Sequence, residues 1–111
     1  MGPQEFHGRV VLLVNQHSAS AAEMVAGFAR ENSLAKIVGT TTPGRLLSGT
    51  FFKAGHGYVL GLPGAAYLTW QGTMLEGKGI TPDEEVKLSR DMLKQGCDSQ
   101  MKRAIDLVER M

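Results

Sequence analysis

The sequence predicts an α/β fold, and three consecutive patterns near its start carry the prediction. Residues 10–14 form an unbroken apolar run, which a polar turn over residues 15–18 follows. From Ser20 the spacing becomes helical, because apolar side chains recur three or four positions apart up to Phe28. Residues 35–39 are predicted to form a second buried strand. Short apolar runs bounded by turn residues are typical of buried strands, so this order predicts two parallel strands joined by a right-handed crossover through a helix.

After the second strand, the sequence predicts an antiparallel or mixed β region. Residues 50–53 and 58–62 have the composition of two strands, and the glycine-flanked residues 55–57 between them predict a hairpin turn. Residues 65–70 are predicted to form one more strand, which ends at a Gln-Gly turn.

The C-terminal part is predicted to be helical. Ser89 is expected to cap a short helix that ends at Gly96. Asp98 or Ser99 is expected to cap the last helix, which has one apolar face. That face is formed by Met101, Ala104, Ile105 and Val108.

Composition excludes several classes of function. With 111 residues the chain forms one domain at most, and its net charge of +1 comes from 12 basic and 11 acidic residues mixed along the chain. This pattern indicates neither nucleic acid nor an acidic membrane as a partner. No apolar run approaches the ~18 residues of a membrane span. The single Cys97 excludes an internal disulfide and a cysteine metal site, and we expect no metal and no cofactor.

Ser20 has two interpretations, and both require a hydroxyl at the start of the helix. The first is a helix cap, because Ser20 and Glu23 fit the S-x-x-E pattern of a capping box. The second is a nucleophile. A serine on a strand-to-helix turn is lifted out of the sheet and faces free backbone N–H groups that can hold a developing oxyanion. This stretch alone leaves both interpretations open.

Four motifs in a fixed order resemble a known family. They are the S-A-S-A-A-E of residues 18–23, a strand that ends in Val-Gly, the T-P-G-R of residues 42–45, and the G-I-T-P-D of residues 79–83. Together they resemble the catalytic half of the tail-specific, or C-terminal processing, serine proteases, whose superfamily includes the tricorn core proteases. The resemblance extends over residues 10–86.

The resemblance implies a ClpP/crotonase-like spiral ββα core, of which this chain would be a partial domain. Residues 1–8 would be a linker or a cloning remnant. Residues 9–88 would be the C-terminal half of the protease-like core, and residues 89–111 would add the C-terminal helices. Because half of a two-part domain leaves a sheet face or edge uncovered, we expect a homo-oligomer.

The resemblance also implies site residues. Ser20 falls on the family's nucleophile, and the Ala21 N–H would supply part of the oxyanion hole. Arg45 falls where the family has its lysine base, but a guanidinium effectively never loses its proton. Arg45, after Gly44, is therefore expected to bind a substrate carboxylate. Glu76, 56 residues after Ser20, is the candidate for a supporting glutamate, and a surface turn carboxylate is its alternative.

The function implied by the resemblance is that of a serine peptidase that cleaves peptides by acyl transfer and is inactive as this isolated fragment. The alternative is a non-catalytic ligand-binding module on the same scaffold, as in the retinoid-binding interphotoreceptor repeats. A crotonase-like acyl-CoA enzyme is a third possibility, but it does not explain a serine at the start of the helix.

Overall fold

The structure is a computed structural model, and it describes residues 6–111. Most of the predicted linker over residues 1–8 lies outside the described residues. The elements in chain order are β1 (Val11–Val14), α1 (Ala21–Glu31), β2 (Lys36–Gly39), β3 (Leu47–Gly55), β4 (Tyr58–Ala66), β5 (Glu84–Glu85), α2 (Arg90–Lys94) and α3 (Ser99–Arg110). The described chain is therefore a mixed α/β structure, which confirms the predicted class.

A three-stranded parallel sheet in the order β1-β2-β5 organises the chain. Strand β1 pairs in parallel with β2, from Val11 opposite Lys36 to Val14 opposite Gly39. Helix α1 forms the crossover between these two strands, so the predicted strand-helix-strand unit is confirmed. Strand β5 was not predicted, because a two-residue strand of glutamates has no apolar signal.

The core forms where β2, α1 and two loops meet. Ile37 and Val38 of β2 are fully buried, and each contributes roughly 1.5–3 kcal/mol relative to an exposed side chain. The core cluster consists of Val14, Ala26, Ile37, Leu46, Leu75 and Ile80. Strand β1 was predicted to be buried. Only its last residue, Val14, is buried, whereas Leu13 is 39% exposed. The reason is its position at the edge of the sheet, where α3 covers it only in part.

Strands β3 and β4 form a separate antiparallel hairpin that is longer than predicted. Its tip is His56-Gly57, and both residues have positive φ, of 51° and 82°. Positive φ at both central positions is the requirement of the tight type I′ turn. Every residue of the hairpin strands is exposed, so the hairpin projects away from the core.

The predicted strand over residues 65–70 is wrong beyond Ala66. Leu68 forms only an isolated bridge with Met74. A local turn replaces the strand, because the Thr69 N–H donates to the Thr73 carbonyl at 2.9 Å and the Thr73 N–H donates to the Thr69 hydroxyl at 3.0 Å. These bonds take up the backbone groups that a neighbouring strand would need.

The C-terminal helices begin at the predicted caps. The Ser89 hydroxyl accepts from the Met92 N–H, and the Asp98 carboxylate accepts from the N–H groups of Gln100 and Met101. On the predicted apolar face of α3, Ala104 is buried and the other three side chains are only partly covered. Among residues 6–111, no helix has the length and apolar character that a bilayer crossing requires.

Candidate active site around Ser20

The turn between β1 and Ser20 is held by its own side chains. The Asn15 side-chain oxygen accepts from the His17 N–H at 2.8 Å, and the Ser18 hydroxyl accepts from the Asn15 N–H at 3.0 Å. These bonds mimic a backbone turn, which asparagine and serine favour. The chain is thereby brought from the end of the sheet to the first turn of α1.

Ser20 occupies the N-cap position of α1 in a strained backbone conformation. Its φ of 55° and ψ of −118° lie in a region that residues with a Cβ rarely adopt, at a cost of about 1–3 kcal/mol. Ser20 is also exposed. An exposed serine on a sharp strand-to-helix turn is the geometry of a nucleophile elbow, where strain lifts the hydroxyl away from the sheet.

The Ser20 N–H group is shared between two acceptors. It donates to the Arg45 carbonyl at 3.0 Å and to the Glu23 carboxylate at 3.1 Å. The second contact is one half of the predicted capping box. In the other half the Ser20 side-chain oxygen faces the Glu23 N–H, which also donates to the Ser20 carbonyl at 2.9 Å. Because a cap uses the hydroxyl oxygen only as an acceptor, the O–H group remains available to donate to another partner.

Ala21 is the first residue of α1. Among the described residues its N–H group has no hydrogen-bond acceptor, as expected in the first turn of a helix. The Ser20 N–H is already engaged, so Ala21 supplies the free backbone donor next to the hydroxyl. A free N–H at the positive end of a helix suits a developing negative charge.

Glu23 is buried beneath Ser20, and four hydrogen-bond donors surround its carboxylate. Its Oε1 atom accepts from the Thr42 hydroxyl and the Gly44 N–H, both at 2.6 Å. Its Oε2 atom accepts from the N–H groups of Arg45, at 2.9 Å, and Ser20, at 3.1 Å. Burial alone raises the pKa of the Glu23 carboxyl, but these hydrogen bonds, with that of the Thr42 hydroxyl foremost, outweigh burial and hold the pKa below its ordinary value.

Gly44 and Arg45 lie in the loop that Glu23 holds. Gly44 has a φ of 71°, and a Cβ there would lie 2.7 Å from the backbone nitrogens of both Lys78 and Gly79. The close approach of the two loops therefore requires glycine. Arg45 is exposed, and its backbone, rather than its guanidinium, makes the contacts with Ser20 and Glu23.

Glu76 holds the same loop from its other side. Its half-buried carboxylate accepts from the Leu46 N–H at 2.6 Å, and the adjacent Gly77 N–H donates to the Gly44 carbonyl at 2.8 Å. Among the described residues its carboxylate forms no hydrogen bond with Ser20. The structure thus joins Ser20 to Arg45 directly, and places Glu76 against the residue that follows Arg45.

Among the described residues, none of the three histidines, His7, His17 and His56, forms a hydrogen bond with Ser20. The His17 ring is exposed and lies 3.4 Å from the Gln16 side-chain nitrogen. His56 is at the tip of the projecting hairpin. Within residues 6–111, no group of three His, Cys, Asp or Glu side chains is placed to hold a metal ion.

A depression of about 510 Å³ opens at the carboxyl ends of the parallel strands. Its lining residues are of polar types except for Leu88, and they do not include Ser20, Arg45 or Glu76. The lining residues are Asn15, Gln16, Thr40, Thr41, Glu85, Lys87, Leu88 and Gln100. We place the candidate site on Ser20, because its strained backbone, available O–H group and adjacent N–H are chemical features that volume alone does not provide.

In the sequence Glu23 is recognisable only as part of a capping box, and no pattern singles out Thr42. Both are buried polar residues at the centre of the site. The spacing of Glu23 from Ser20 signals a local contact, but no pattern in the sequence signals that the same carboxylate also binds a loop some twenty residues later.

Comparison with known proteins agrees with the resemblance. The sequence model of Peptidase family S41 matches residues 2–86. The chain is 40% identical over 74 residues to a carboxy-terminal-processing protease of Bartonella bacilliformis, covering 67% of this chain and 17% of that protein. It is 35% identical over 102 residues to a carboxyl-terminal-processing protease of Synechocystis, covering 89% of this chain and 24% of that protein.

Two solved structures are similar in fold. The tricorn protease superposes with a TM-score of 0.83 at 26% identity, over 93% of this chain and 10% of that one. The photosystem II D1 C-terminal processing protease superposes with a TM-score of 0.65 at 30% identity, over 71% of this chain and 20% of that one. The chain therefore spans less than a quarter of the curated relatives and solved structures described here, and by its sequence and fold it belongs to peptidase family S41.

Proposed function

We propose that this chain is the nucleophile-bearing part of a serine peptidase that cleaves peptides by acyl transfer. The observation that carries the proposal is the conformation of Ser20, an exposed serine held at φ 55° at the start of α1 with an O–H group available to donate. Because the chain covers only part of its relatives, the activity is proposed for the longer protein, meaning a chain of the relatives' length that contains these 111 residues.

In the proposed reaction the Ser20 Oγ atom attacks the carbonyl carbon of the peptide bond. A general base accepts the hydroxyl proton, and the carbonyl oxygen becomes an oxyanion that accepts from the Ala21 N–H. Collapse of this intermediate breaks the C–N bond, and the base returns its proton to the leaving amine. Water then hydrolyses the acyl-serine in the same way and restores the hydroxyl.

The general base lies outside the 111 residues in this proposal. By the resemblance Arg45 falls where the family has its lysine base, but a guanidinium effectively never loses its proton, so Arg45 cannot accept the Ser20 proton. Neither His17 nor His56 forms a hydrogen bond with Ser20. A histidine from the upstream half of the core would complete the site, and the isolated chain would be inactive.

Arg45 and Glu76 have supporting roles in the proposal. The exposed Arg45 guanidinium binds a carboxylate of the peptide substrate, and Gly44 gives the loop the close approach that presents it. Glu76 supports the site by fixing the Leu46 N–H directly after Arg45. In the complete core the described elements would belong to a ClpP/crotonase-like spiral, with residues 9–88 as its C-terminal half and residues 89–111 as the attached helices.

The exposed hairpin supports an oligomeric assembly. Phe51 and Tyr58 of the hairpin are 74% and 75% exposed, and the strands carry several other large apolar side chains in the open. Apolar surface of this kind on a projecting hairpin is typical of a protein–protein contact. We therefore place the contact between copies of this chain on the hairpin.

Labelling with a fluorophosphonate probe tests the proposed function against the ligand-binding alternative. The probe bonds covalently to an activated serine. In the longer protein we expect labelling at Ser20 that Ser20→Ala abolishes and that Ser48→Ala, an exposed serine of the hairpin, does not change. A longer protein that takes up no probe would contradict the peptidase proposal and favour a non-catalytic ligand-binding module.

A further inference from the structure

Glu23 is a buried ionisable group that the proposed reaction does not use. Among the described residues it forms no salt bridge, and its carboxylate accepts hydrogen bonds from four donors. Three of those donors come from the loop that carries Arg45, and the fourth is the N–H of Ser20. One carboxylate therefore joins the proposed nucleophile to the proposed substrate-binding loop.

We infer that Glu23 is a positioning residue for Ser20, and that its bonds to Ser20, Thr42, Gly44 and Arg45 hold the serine in its strained conformation. The inference rests on the proposed function and extends it to a residue that contacts no substrate. Strain at Ser20 persists only where the surroundings fix the backbone. The Ser20 N–H donates to two acceptors, the Glu23 carboxylate and the Arg45 carbonyl. The Glu23 carboxylate also accepts from the Arg45 N–H, so it holds both residues.

The same contacts determine which N–H group is left for an oxyanion. Glu23 and Arg45 occupy the N–H of Ser20, which removes it as a donor. The N–H of Ala21 remains free at the helix start. Releasing Ser20 from Glu23 would let the serine rotate toward ordinary φ values, which would displace both the hydroxyl and the neighbouring donor.

The site specifically requires a carboxylate. A carboxylate only accepts, and its two oxygens offer about four lone-pair positions for the four donors. Glutamine has the same shape but one oxygen and one NH₂ group. Whichever way the amide turns, its NH₂ faces two donors, either those of Thr42 and Gly44 or those of Arg45 and Ser20.

The test compares Glu23→Gln with Glu31→Gln in the longer protein. Glu31 lies on the same helix and accepts a single N–H, from Gln71 at 3.2 Å, so it is the matched control. The rates of turnover and of fluorophosphonate labelling are divided by the amount of folded protein. A loss of folded protein is then not mistaken for a slower reaction. Misplacing reacting groups by about 1 Å can cost on the order of 10²-fold in rate. We expect Glu23→Gln to slow both turnover and labelling by about that factor, and Glu31→Gln to change neither.

A second pair of variants keeps the test decisive if Glu23→Gln does not fold. The Thr42 hydroxyl donates to Glu23 and accepts from the Ile80 N–H at 2.7 Å. Thr42→Ser keeps this hydroxyl and should retain the labelling rate. Thr42→Val keeps the shape without the hydroxyl and should slow labelling.

Amide hydrogen exchange separates failure of this inference from failure of the proposed function. Glu23→Gln should increase exchange in residues 18–24 and 42–46, whether or not the protein cleaves peptides. Normal turnover, labelling and exchange in Glu23→Gln would overturn the positioning role while leaving Ser20 as nucleophile. If Ser20→Ala has the same turnover as the wild type, the proposed function fails instead. In that case, unchanged hydrogen exchange in Glu23→Gln would overturn the positioning role as well.

Discussion

The backbone N–H of Ser20 donates to the backbone carbonyl of Arg45 across 3.0 Å. This bond ties the start of α1 to a loop that follows β2, although a whole crossover separates the two residues in sequence. It uses no side-chain atom of either residue. The bond therefore leaves the Ser20 hydroxyl and the Arg45 guanidinium, which belong to two exposed residues, available for other partners.

Arg45→Ala should weaken substrate binding more than it slows chemistry. A hydrogen bond to a charged group contributes about 1.5–3 kcal/mol, so we expect KM of the longer protein to rise by roughly 10- to 100-fold with a smaller change in kcat. Steady-state kinetics on peptides with a free carboxylate measure this. Lys78→Ala, which removes another exposed cation from the facing loop, is the control. A fall in kcat at constant KM would instead place Arg45 in the chemical step.

Gly44→Ala should destabilise the chain more than Gly55→Ala does. Both glycines have positive φ, of 71° and 87°, so each substitution carries a backbone cost of about 1–2 kcal/mol. A Cβ at Gly44 also meets backbone atoms at 2.7 Å, whereas one at Gly55 has nothing within 4 Å. Urea unfolding of the two variants measures the difference. Equal losses in the free energy of unfolding would show that the two loops are not packed as closely as described.

The ion pair of Glu84 and Arg103 should make stability depend on pH. The hydrogen bonds from Arg103 lower the pKa of the Glu84 carboxyl from its ordinary value of 4.5. Since the folded state favours the ionised form, the stabilisation is complete above pH 4.5 and is lost as the pH falls through the lowered folded-state pKa.

Unfolding at a series of pH values tests this with Glu84→Gln and Arg103→Gln. Each variant should flatten the loss of stability below pH 4.5, and the double variant should flatten it no further, because both substitutions remove the same pair. The ion-pair account would be wrong if the two effects added.

The exposed apolar side chains of the hairpin lead us to expect self-association of the 111-residue chain. Light scattering at micromolar concentration should show a dimer or larger assembly, and Phe51→Ser should shift it toward the monomer. Trp70→Ser removes a side chain that is even more exposed, at 85%, but lies outside the hairpin, so it should have no effect. A wild-type chain that is monomeric under these conditions would contradict the oligomer proposal.

The sequence predicted the parts of the fold whose signals are local. The apolar run before Ser20 and the helical spacing after it predict β1 and α1, because a short apolar run is typical of a buried strand and burial of one helix face imposes the 3.6-residue spacing. The caps at Ser89 and Asp98 were predictable for the same reason, since a cap contacts N–H groups two or three residues ahead.

The parts that were missed depend on contacts between distant segments. Strand β5 exists because Asp83 and Ile37 exchange hydrogen bonds: the Ile37 N–H donates to the Asp83 carboxylate at 2.7 Å, and the Asp83 N–H donates to the Ile37 carbonyl at 2.8 Å. The sequence around Asp83 and Ile37 does not indicate that the two glutamates after Asp83 form a strand. The central place of Glu23 is hidden likewise, because three of its four partners come from a loop beyond the next strand.

The most direct test of the central claim is peptide hydrolysis by four samples measured side by side. They are the longer protein, its Ser20→Ala variant, its Ser48→Ala variant and the isolated 111-residue chain. We predict turnover by the longer protein and by Ser48→Ala, and a loss of about 10⁴-fold or more in Ser20→Ala. We predict no activity in the isolated chain, because the proposal places the general base outside the 111 residues. Full turnover in Ser20→Ala, or Ser20-dependent cleavage by the isolated chain, would contradict the account.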